Sequence, residues 1–464
     1  MQSPLYPLLR KALGMGASSL GTTICALLCL SSTPAQAQIT VLRHITVIDG
    51  NGGKPRHDAA LVIDGQRIRA VTDANAPTPA GATVLDLNGK TIMPEIVNAH
   101  GHLGLLKGTT AVSANYSEAS VERQLLQYQD YGVGAVQVMG TDHPEIWQWR
   151  AESRAGTRPG ALIYTAGGGF GVVGGLLPVT PGIDPLFRPT TPEEARKDVR
   201  DLAVHKPDLI KIWVDDFWGQ YPKMKPEIYA AIIDEAHKQH LRVAAHVYHE
   251  SDAQQLADDG IDIFAHSVRD AEIPDSLVAE MKRKHIAYIT TMSLDDFLIA
   301  YADDPSWLNQ SFFRDALEPG VYEMITSQKY KDSVKADKKT PIETAALPIA
   351  MKNFKKLYDA GILVALGTDS GATSTRPIGF SEHREMQLMV QAGLTPLQVI
   401  TIATKNGAEL LRASNEFGTL RPGLRANFIV LDKDPSTDIR NTETISAVWK
   451  NGKKVSDGPH PRSE

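Results

Sequence analysis

Residues 242–267 read RVAAHVYHESDAQQLADDGIDIFAHS. A β-branched run, RVAAHVYH, gives way to a helical stretch, DAQQLADDG, and then to a second run, IDIFAHS, and histidines stand at the ends of both runs. Strand, helix, strand is a βα repeat, and it makes the sheet parallel. The pattern continues on both sides in TIMPEIVNAH (91–100), GAVQVMG (134–140), ALIYTAG (161–167), DLIKIWVDD (208–216), AYITTMS (287–293) and LVALGTDS (363–370). Stretches such as PEIYAAIIDEAHKQH (226–240) have the apolar spacing of helices between them. Eight strands of this kind fit an α/β fold, a (β/α)8 TIM barrel. An open doubly wound sheet would want a glycine fingerprint in its first βα turn. GGGFGVVGG (167–175) follows the third strand and opens no obvious amphipathic helix, so it is read as a flexible loop at the active site rather than a phosphate cradle.

The ends of the chain are written differently. ITVLRHITVIDG, AALVIDGQRIRAV and ATVLDLNGKTI near the start, and GTLRPGLRANFIVLDKDP and ISAVWKNGKKV near the end, are short alternating runs punctuated by Gly, Asn and Pro. Neither set closes a sheet alone, which predicts a small β-sandwich built from both ends. The expected division is 38–92 and 418–464 for that domain and 93–417 for the barrel. An insertion at about 294–348 carries Trp307, Phe312, Phe313 and Tyr322 and is read as a lid over the site or a packed surface subdomain.

Residues 1–37 hold no acid and two bases, Arg10 and Lys11, then an apolar segment and Ala35-Gln36-Ala37. This is the pattern of an export signal cleaved near Ala37, and it predicts a secreted or periplasmic protein with no membrane contact after processing. A retained anchor is disfavoured by the glycines and threonines that interrupt the segment. Both cysteines, Cys25 and Cys29, fall inside it, so the mature chain has no disulfide or thiolate chemistry. The 464 residues carry a net charge of −6, and 46 bases against 54 acids remain without the signal. With 42% hydrophobic and 22% charged residues the chain is ordinary for a globular protein and has no basic footprint for nucleic acid. A small molecule or dipeptide is the expected partner, with a homo-oligomer left open.

The residues able to do chemistry gather where barrel enzymes place theirs, at the C-terminal ends of the strands. His100 and His102 close strand one and share a face. Lys211 lies inside the apolar LIKIW of strand four, His246 ends strand five, His266 strand six, and Asp369 strand eight in GTDSG. A lone histidine at a strand end is more often a satisfied polar residue than a ligand. Six such residues on five strands reverse that reading. Four imidazoles, a carboxylate and an amine suit zinc, manganese or cobalt better than calcium or magnesium. Burial disfavours the charged form of Lys211, and a neutral amine captures carbon dioxide as a carbamate whose two oxygens bridge two metals. The alternative is a lysine snorkelling to Asp215 or Asp216.

The order and spacing of His100-x-His102, Lys211, His246, His266 and Asp369 resemble the amidohydrolase superfamily in its binuclear form with a carboxylated lysine. GTLRPGLRANFIVLDKDP is similar to the C-terminal signature of the imidazolonepropionase-like and metal-dependent Xaa-Pro dipeptidase branch. Two positions depart from that pattern: Glu95 stands where glycine is usual, and Asn98 where aspartate is usual. The resemblance implies that His100, His102 and Asp369 bind one metal and His246 and His266 the second. It further implies an N6-carboxylysine at Lys211 bridging two divalent ions, zinc foremost, with a metal-bridging hydroxide as nucleophile. Asp369 would be the general acid and base, and Tyr248 would contact the substrate carbonyl or act as a packing aromatic. His249 is read as a supporting or exposed residue. Lys211 separates the chain from mononuclear deaminases and favours an amide or peptide bond of the Xaa-Pro dipeptide or N-acyl amino acid type. Such substrates carry a carboxylate, for which Arg269 and Arg376 are the candidate partners. A lactonase or phosphotriesterase on the same metals is the alternative, and an exported metal- or solute-binding protein a more distant one.

Overall fold

The computed structural model describes residues 38–177 and 184–461. The export signal read at 1–37 lies outside the described residues. The chain is a mixed α/β fold in which eight short parallel strands alternate with helices. Ile96–Gly101, Val133–Val138 and Leu162–Thr165 form one parallel sheet, and Ile210–Trp213, Val243–His246, Ile263–Phe264, Ala287–Ile289 and Val364–Ala365 a second. Their residues are buried on both faces, as strands covered by helices on one side and packed side chains on the other must be.

The strands form two sheets rather than one continuous ladder because regular pairing lapses at two seams, and isolated hydrogen bonds cross both. At one, the Ala99 amide donates to the Leu366 carbonyl at 2.8 Å, the Asp369 amide to His100 at 2.8 Å and the His102 amide to Ser370 at 2.8 Å. At the other, the Phe170 amide donates to Lys211 at 2.8 Å and the Trp213 amide to Phe170 at 3.1 Å. The glycine-rich segment supplies this second seam, and its composition follows from crowding. A Cβ on Gly169 would meet the Trp213 ring at 2.5 Å, and one on Gly140, which has φ +89, would meet it at 2.8 Å. These glycines let backbone approach the strand that carries Lys211.

Both ends of the chain enter one sheet. Thr91–Pro94 pairs in parallel with Ile39–Val47 on one side and antiparallel with Phe428–Leu431 on the other, so the ladder runs unbroken from the N-terminal hairpin to Lys453–Ser456. Its eight strands make one hydrogen-bonded ladder whose two halves share an apolar core, and the Ile68 amide donating to Leu424 at 2.9 Å and the Ala426 amide to Gln66 at 2.8 Å tie the N-terminal hairpin to the segment before Phe428–Leu431. One face buries Leu42, Leu61, Ile63, Ile92 and Val430 together with Phe428, which stacks on Trp449 at 5.5 Å.

Glu95, the unusual residue before the first parallel strand, faces this sheet. Its carboxylate occupies the space that a Cβ at Gly134 would need. Burial raises its pKa and the Lys450 ammonium opposes the rise. The departure at Glu95 thus belongs to the junction with the terminal sheet.

The stretch after Ala287–Ile289 contains the helices Met292–Ala300, Ser311–Arg314, Val321–Thr326, Gln328–Ala336 and Thr340–Asp359. Phe297, Tyr301, Trp307, Phe313, Val321 and Ile325 form its own apolar cluster, closed by Tyr131 and Phe380 from outside it. Helix Phe380–Gln391 anchors it. Glu385 accepts the Met292 and Ser293 amides at 3.0 and 2.6 Å, satisfying the open N-terminus of the first inserted helix, and Arg384 pairs with Asp296 at 2.8 Å.

Replacing Phe428 by Ala should destabilise the protein by about 3–5 kcal/mol, the range for removing a fully buried aromatic side chain, and Phe428→Leu by distinctly less. Urea unfolding monitored by circular dichroism checks this. A loss under ~1 kcal/mol for the alanine variant would show that the shared sheet does not hold the chain ends.

Candidate metal centre

Each strand delivers its residue to the same end of the molecule. His100, His102, His246, His266 and Asp369 line one cavity of about 280 Å³. Lys211 does not line it; the residue is 0% exposed, and its Nζ has no hydrogen-bond partner among the described residues. The Trp213 ring lies 5.3 Å from that nitrogen. The reading in which Lys211 snorkels to Asp215 or Asp216 therefore fails: Asp215 pairs with His246, and Lys211 reaches neither solvent nor a carboxylate.

The four imidazoles share a second property. Each has one ring nitrogen held by the protein: Nδ1 of His100 by the Ala265 carbonyl at 2.5 Å, Nδ1 of His102 by the Thr141 hydroxyl at 2.7 Å, Nδ1 of His266 by the Thr291 hydroxyl at 3.0 Å, and Nε2 of His246 by Asp215 at 3.0 Å. Of the other nitrogens, Nε2 of His100 and His102 lies against Asp369 Oδ1, and Nε2 of His266 and Nδ1 of His246 make no hydrogen bond among the described residues. Histidines that ligate metals are oriented in this way, by a partner on the opposite nitrogen. The His246 and His266 rings lie 4.2 Å apart, and His100 and His266 4.3 Å apart. Ligand atoms of His100, His266 and Asp369 all fall within 4.8 Å of one another, close enough to share one ion.

Electrostatics keeps these groups in the state a cation requires. Burial lowers the pKa of His100 to about 3 and depresses His246 and His266 as well, so their imidazoles are neutral near pH 7. Burial also lowers Lys211 to about 7, with Asp369 opposing. Asp369 shows the reverse outcome. Burial would raise it, but the Arg376 guanidinium and hydrogen bonds from His100 and His102 take it well below the usual carboxylate range. Its Oδ1 lies 2.9 Å from His102 Nε2 and 3.3 Å from His100 Nε2, and Arg376 holds its Oδ2. Asp369 adopts φ +57, a left-handed conformation costly for a side chain with Cβ. Four imidazoles, two of them against the Asp369 carboxylate, that carboxylate held ionised and an amine with no partner among the described residues fit divalent cations in kind.

Asn98, the second unusual residue, supports this geometry. Its side-chain amide donates to Thr368 Oγ1 at 3.0 Å and Glu382 Oε1 at 2.6 Å, and its Oδ1 accepts the His100 amide at 2.9 Å. Glu382 also accepts from Thr368 and Ser370 at 2.8 and 2.7 Å. An aspartate at 98 would set two carboxylates against each other, so the amide is the residue that the buried Glu382 allows.

The remaining candidates are brought to the same cavity, with different commitments. Tyr248 lines it, edge-on to Trp218 at 5.5 Å, and its ring lies beneath the Arg269 guanidinium at 4.6 Å. Arg269 lines it too but is paired through Nε with Asp295 at 2.9 Å and donates Nη1 to Ser267 O at 2.8 Å, leaving Nη2 with no acceptor among the described residues. Arg376 lines it and is paired with Asp369. His249 lies off the cavity, bonded to Asp270 at 2.9 Å. Sequence reasoning did not find the groups that hold the imidazoles, Thr141, Thr291, the Ala265 carbonyl and Asp215 as partner of His246. Nor did it find the loop that places Phe217 and Trp218 over the cavity. Those two residues have φ +49 and +58, consecutive left-handed positions stabilised where the Phe217 amide bonds Asp215 Oδ1 at 2.9 Å.

The amidohydrolase family model matches residues 91–455. Ochratoxinase of Aspergillus niger is 25% identical over 486 aligned residues, which cover 94% of this chain and 93% of that one. Imidazolonepropionase of Streptomyces griseus is 24% identical, covering 86% and 92%. Among solved structures, a Xaa-Pro dipeptidase with bound methionine superposes with a TM-score of 0.71 at 20% identity, covering 90% of this chain and 100% of that one, a likeness of fold.

The buried amine has a consequence for stability. Its pKa is lower in the folded chain than in the unfolded one, so the unfolded state binds more protons between about pH 7 and 10.5, and stability rises with pH across that window. In metal-free, bicarbonate-free buffer, Lys211→Met should be more stable than wild type at pH 6 by about 2–4 kcal/mol. The gap should close toward pH 10. Denaturant titrations at several pH values measure it, and a gap that does not change with pH would refute the assignment of a neutral amine.

Proposed function

Because the chain belongs to the amidohydrolase family and is a hydrolase, we propose that its cavity is a binuclear metal site that cleaves an amide or peptide bond in a dipeptide or an N-acyl amino acid. Residue Lys211 carries this reading: an amine fully buried without a partner, among neutral imidazoles, has no role in stability and suits a carbamate. In this reading the two parallel sheets are halves of one (β/α)8 barrel spanning 93–417, with 38–92 and 418–464 as a second domain. The hydrogen bonds across both seams support the closure. Residues 1–37 are read as the export signal, on sequence alone, with the mature chain secreted or periplasmic.

His100, His102 and Asp369 would hold one divalent ion, His246 and His266 the other, and carboxylated Lys211 both, with zinc, manganese or cobalt as candidates. A bound divalent ion supplies Lewis acidity and lowers the pKa of water toward ~7. The residues of the chain do the rest. Asp369 stays ionised under Arg376 and its neighbouring imidazoles, so its carboxylate accepts a proton from the attacking water and returns it to the leaving nitrogen. Tyr248 presents its hydroxyl to the carbonyl oxygen as negative charge develops there. Arg269 Nη2 is the donor available to a substrate carboxylate. Thr141, Thr291, Asp215 and the Ala265 carbonyl keep each ring oriented while the proton moves. Ochratoxinase and the Xaa-Pro dipeptidase support an amide substrate by likeness.

Elemental analysis of the protein should find two divalent metals per chain, and a panel of Xaa-Pro dipeptides, N-acyl amino acids, lactones and a phosphotriester should show turnover of amides. Lys211→Ala should lose metal and activity together, and Asp369→Asn should lower kcat by about 10²–10⁴-fold, the scale of general acid–base catalysis. One metal or none, with Lys211→Ala like wild type, would remove the carbamate from the reading. Turnover confined to lactones or the phosphotriester would replace the amide.

A further inference from the structure

The cavity holds carboxyl groups that the chemistry above does not use. Glu343, on helix Thr340–Asp359 of the insertion, lines it half-buried, and its carboxylate makes no hydrogen bond or ion pair among the described residues. Beside it is Asp295 of helix Met292–Ala300, whose side chain is 3% exposed. Arg269 takes Asp295 Oδ1, and Oδ2 is buried with no partner. The wall around these oxygens is aromatic, from Phe217, Trp218 and Tyr248. The outer rings already accept an ammonium: Lys339 Nζ lies 5.3 Å from the Trp218 ring and 6.0 Å from Phe217. A carboxylate with no ion pair among the described residues and a buried carboxylate oxygen with no donor, beside electron-rich ring faces, are the chemistry that binds an organic ammonium.

We infer that Glu343, with Asp295 Oδ2 and the Phe217–Trp218 rings, recognises a protonated amine on the substrate. The inference rests on the amide reading and sharpens it, selecting an aminoacyl substrate with a free α-amine over an N-acyl amino acid. A dipeptide then satisfies both groups, its ammonium at Glu343 and its carboxylate at Arg269 Nη2. A cavity of about 280 Å³ is the scale of such a ligand. An acyl chain without the amine would strip water from both carboxylates and give nothing in return, the situation in which a polar site rejects an analogue most strongly.

The test uses isosteric pairs that differ only in the amine. The dipeptide Leu-Phe and its des-amino analogue 4-methylpentanoyl-Phe are compared by kcat/KM, and leucinamide and 4-methylpentanamide by calorimetry on the metal-loaded protein. Wild type should prefer the amine in both pairs by at least ~10-fold, and Glu343→Gln should bring both ratios down toward one. Glu343→Asp should restore part of the preference. Equal treatment of the pairs by wild type, or a ratio unchanged in Glu343→Gln, would overturn the inference. If calorimetry shows the preference while no amide of the earlier panel, nor Leu-Phe or its analogue, is hydrolysed, the amide reading fails and the ammonium site stands. Hydrolysis of both without preference removes the ammonium site and leaves the amide reading in place.

Discussion

Desolvation of one primary amine governs the centre of this molecule. Lys211 is fully buried with no acceptor among the described residues, and much of its surroundings follow from keeping it there. The glycines at 140 and 169 clear space for the strand that carries it. The same exclusion of water lowers the pKa of three nearby histidines and would neutralise Asp369, were Arg376 and two imidazoles not in contact with that carboxylate. A polar cluster of this kind is costly in an empty fold and inexpensive once cations compensate it, which is how structure and function become one constraint.

What the sequence revealed depended on the range of the signal. The six candidate ligands were legible because each lies on or just beyond a β-branched run, where a period of two and a strand end fix where a side chain points. Parallel pairing was legible for the same reason. The groups that orient the rings were not, because Thr141 and Thr291 are ordinary threonines and a backbone carbonyl has no sequence signature; they acquire their roles only when distant strands become neighbours. Glu95 and Asn98 looked like defects beside the ligands. Glu95 turns out to face Lys450 at the opposite end, and Asn98 is dictated by Glu382, 284 residues away. GGGFGVVGG read as a loose loop because glycine marks both freedom and crowding, and here crowding decides it at Gly169.

The insertion illustrates the same limit. Its aromatic residues announced a packed element, and they do pack, yet its bearing on the site comes from two acidic residues that no motif singles out. Helix Phe380–Gln391 joins these layers. Glu382 braces Asn98 and the Asp369 loop, while Arg384 and Glu385, one helical turn along, fix the helix that carries Asp295. The candidate ligands and the wall that faces them are therefore referred to one helix, and a shift of that helix would move both.

The sheet shared by the two chain ends has a consequence for how the protein is made. Thr91–Pro94 is a central strand whose outer partner, Phe428–Leu431, belongs to the last part of the chain, and the Lys90–Asp432 pair beside it spans 342 residues. During synthesis the early hairpins must wait with an unsatisfied edge and an exposed apolar face until nearly everything else has emerged. Long-range closure of this kind is slow, and the waiting edge is a site for pairing with other chains. Yield of the protein, more than its final stability, will thus be sensitive to holdase chaperones and to the pace of translation.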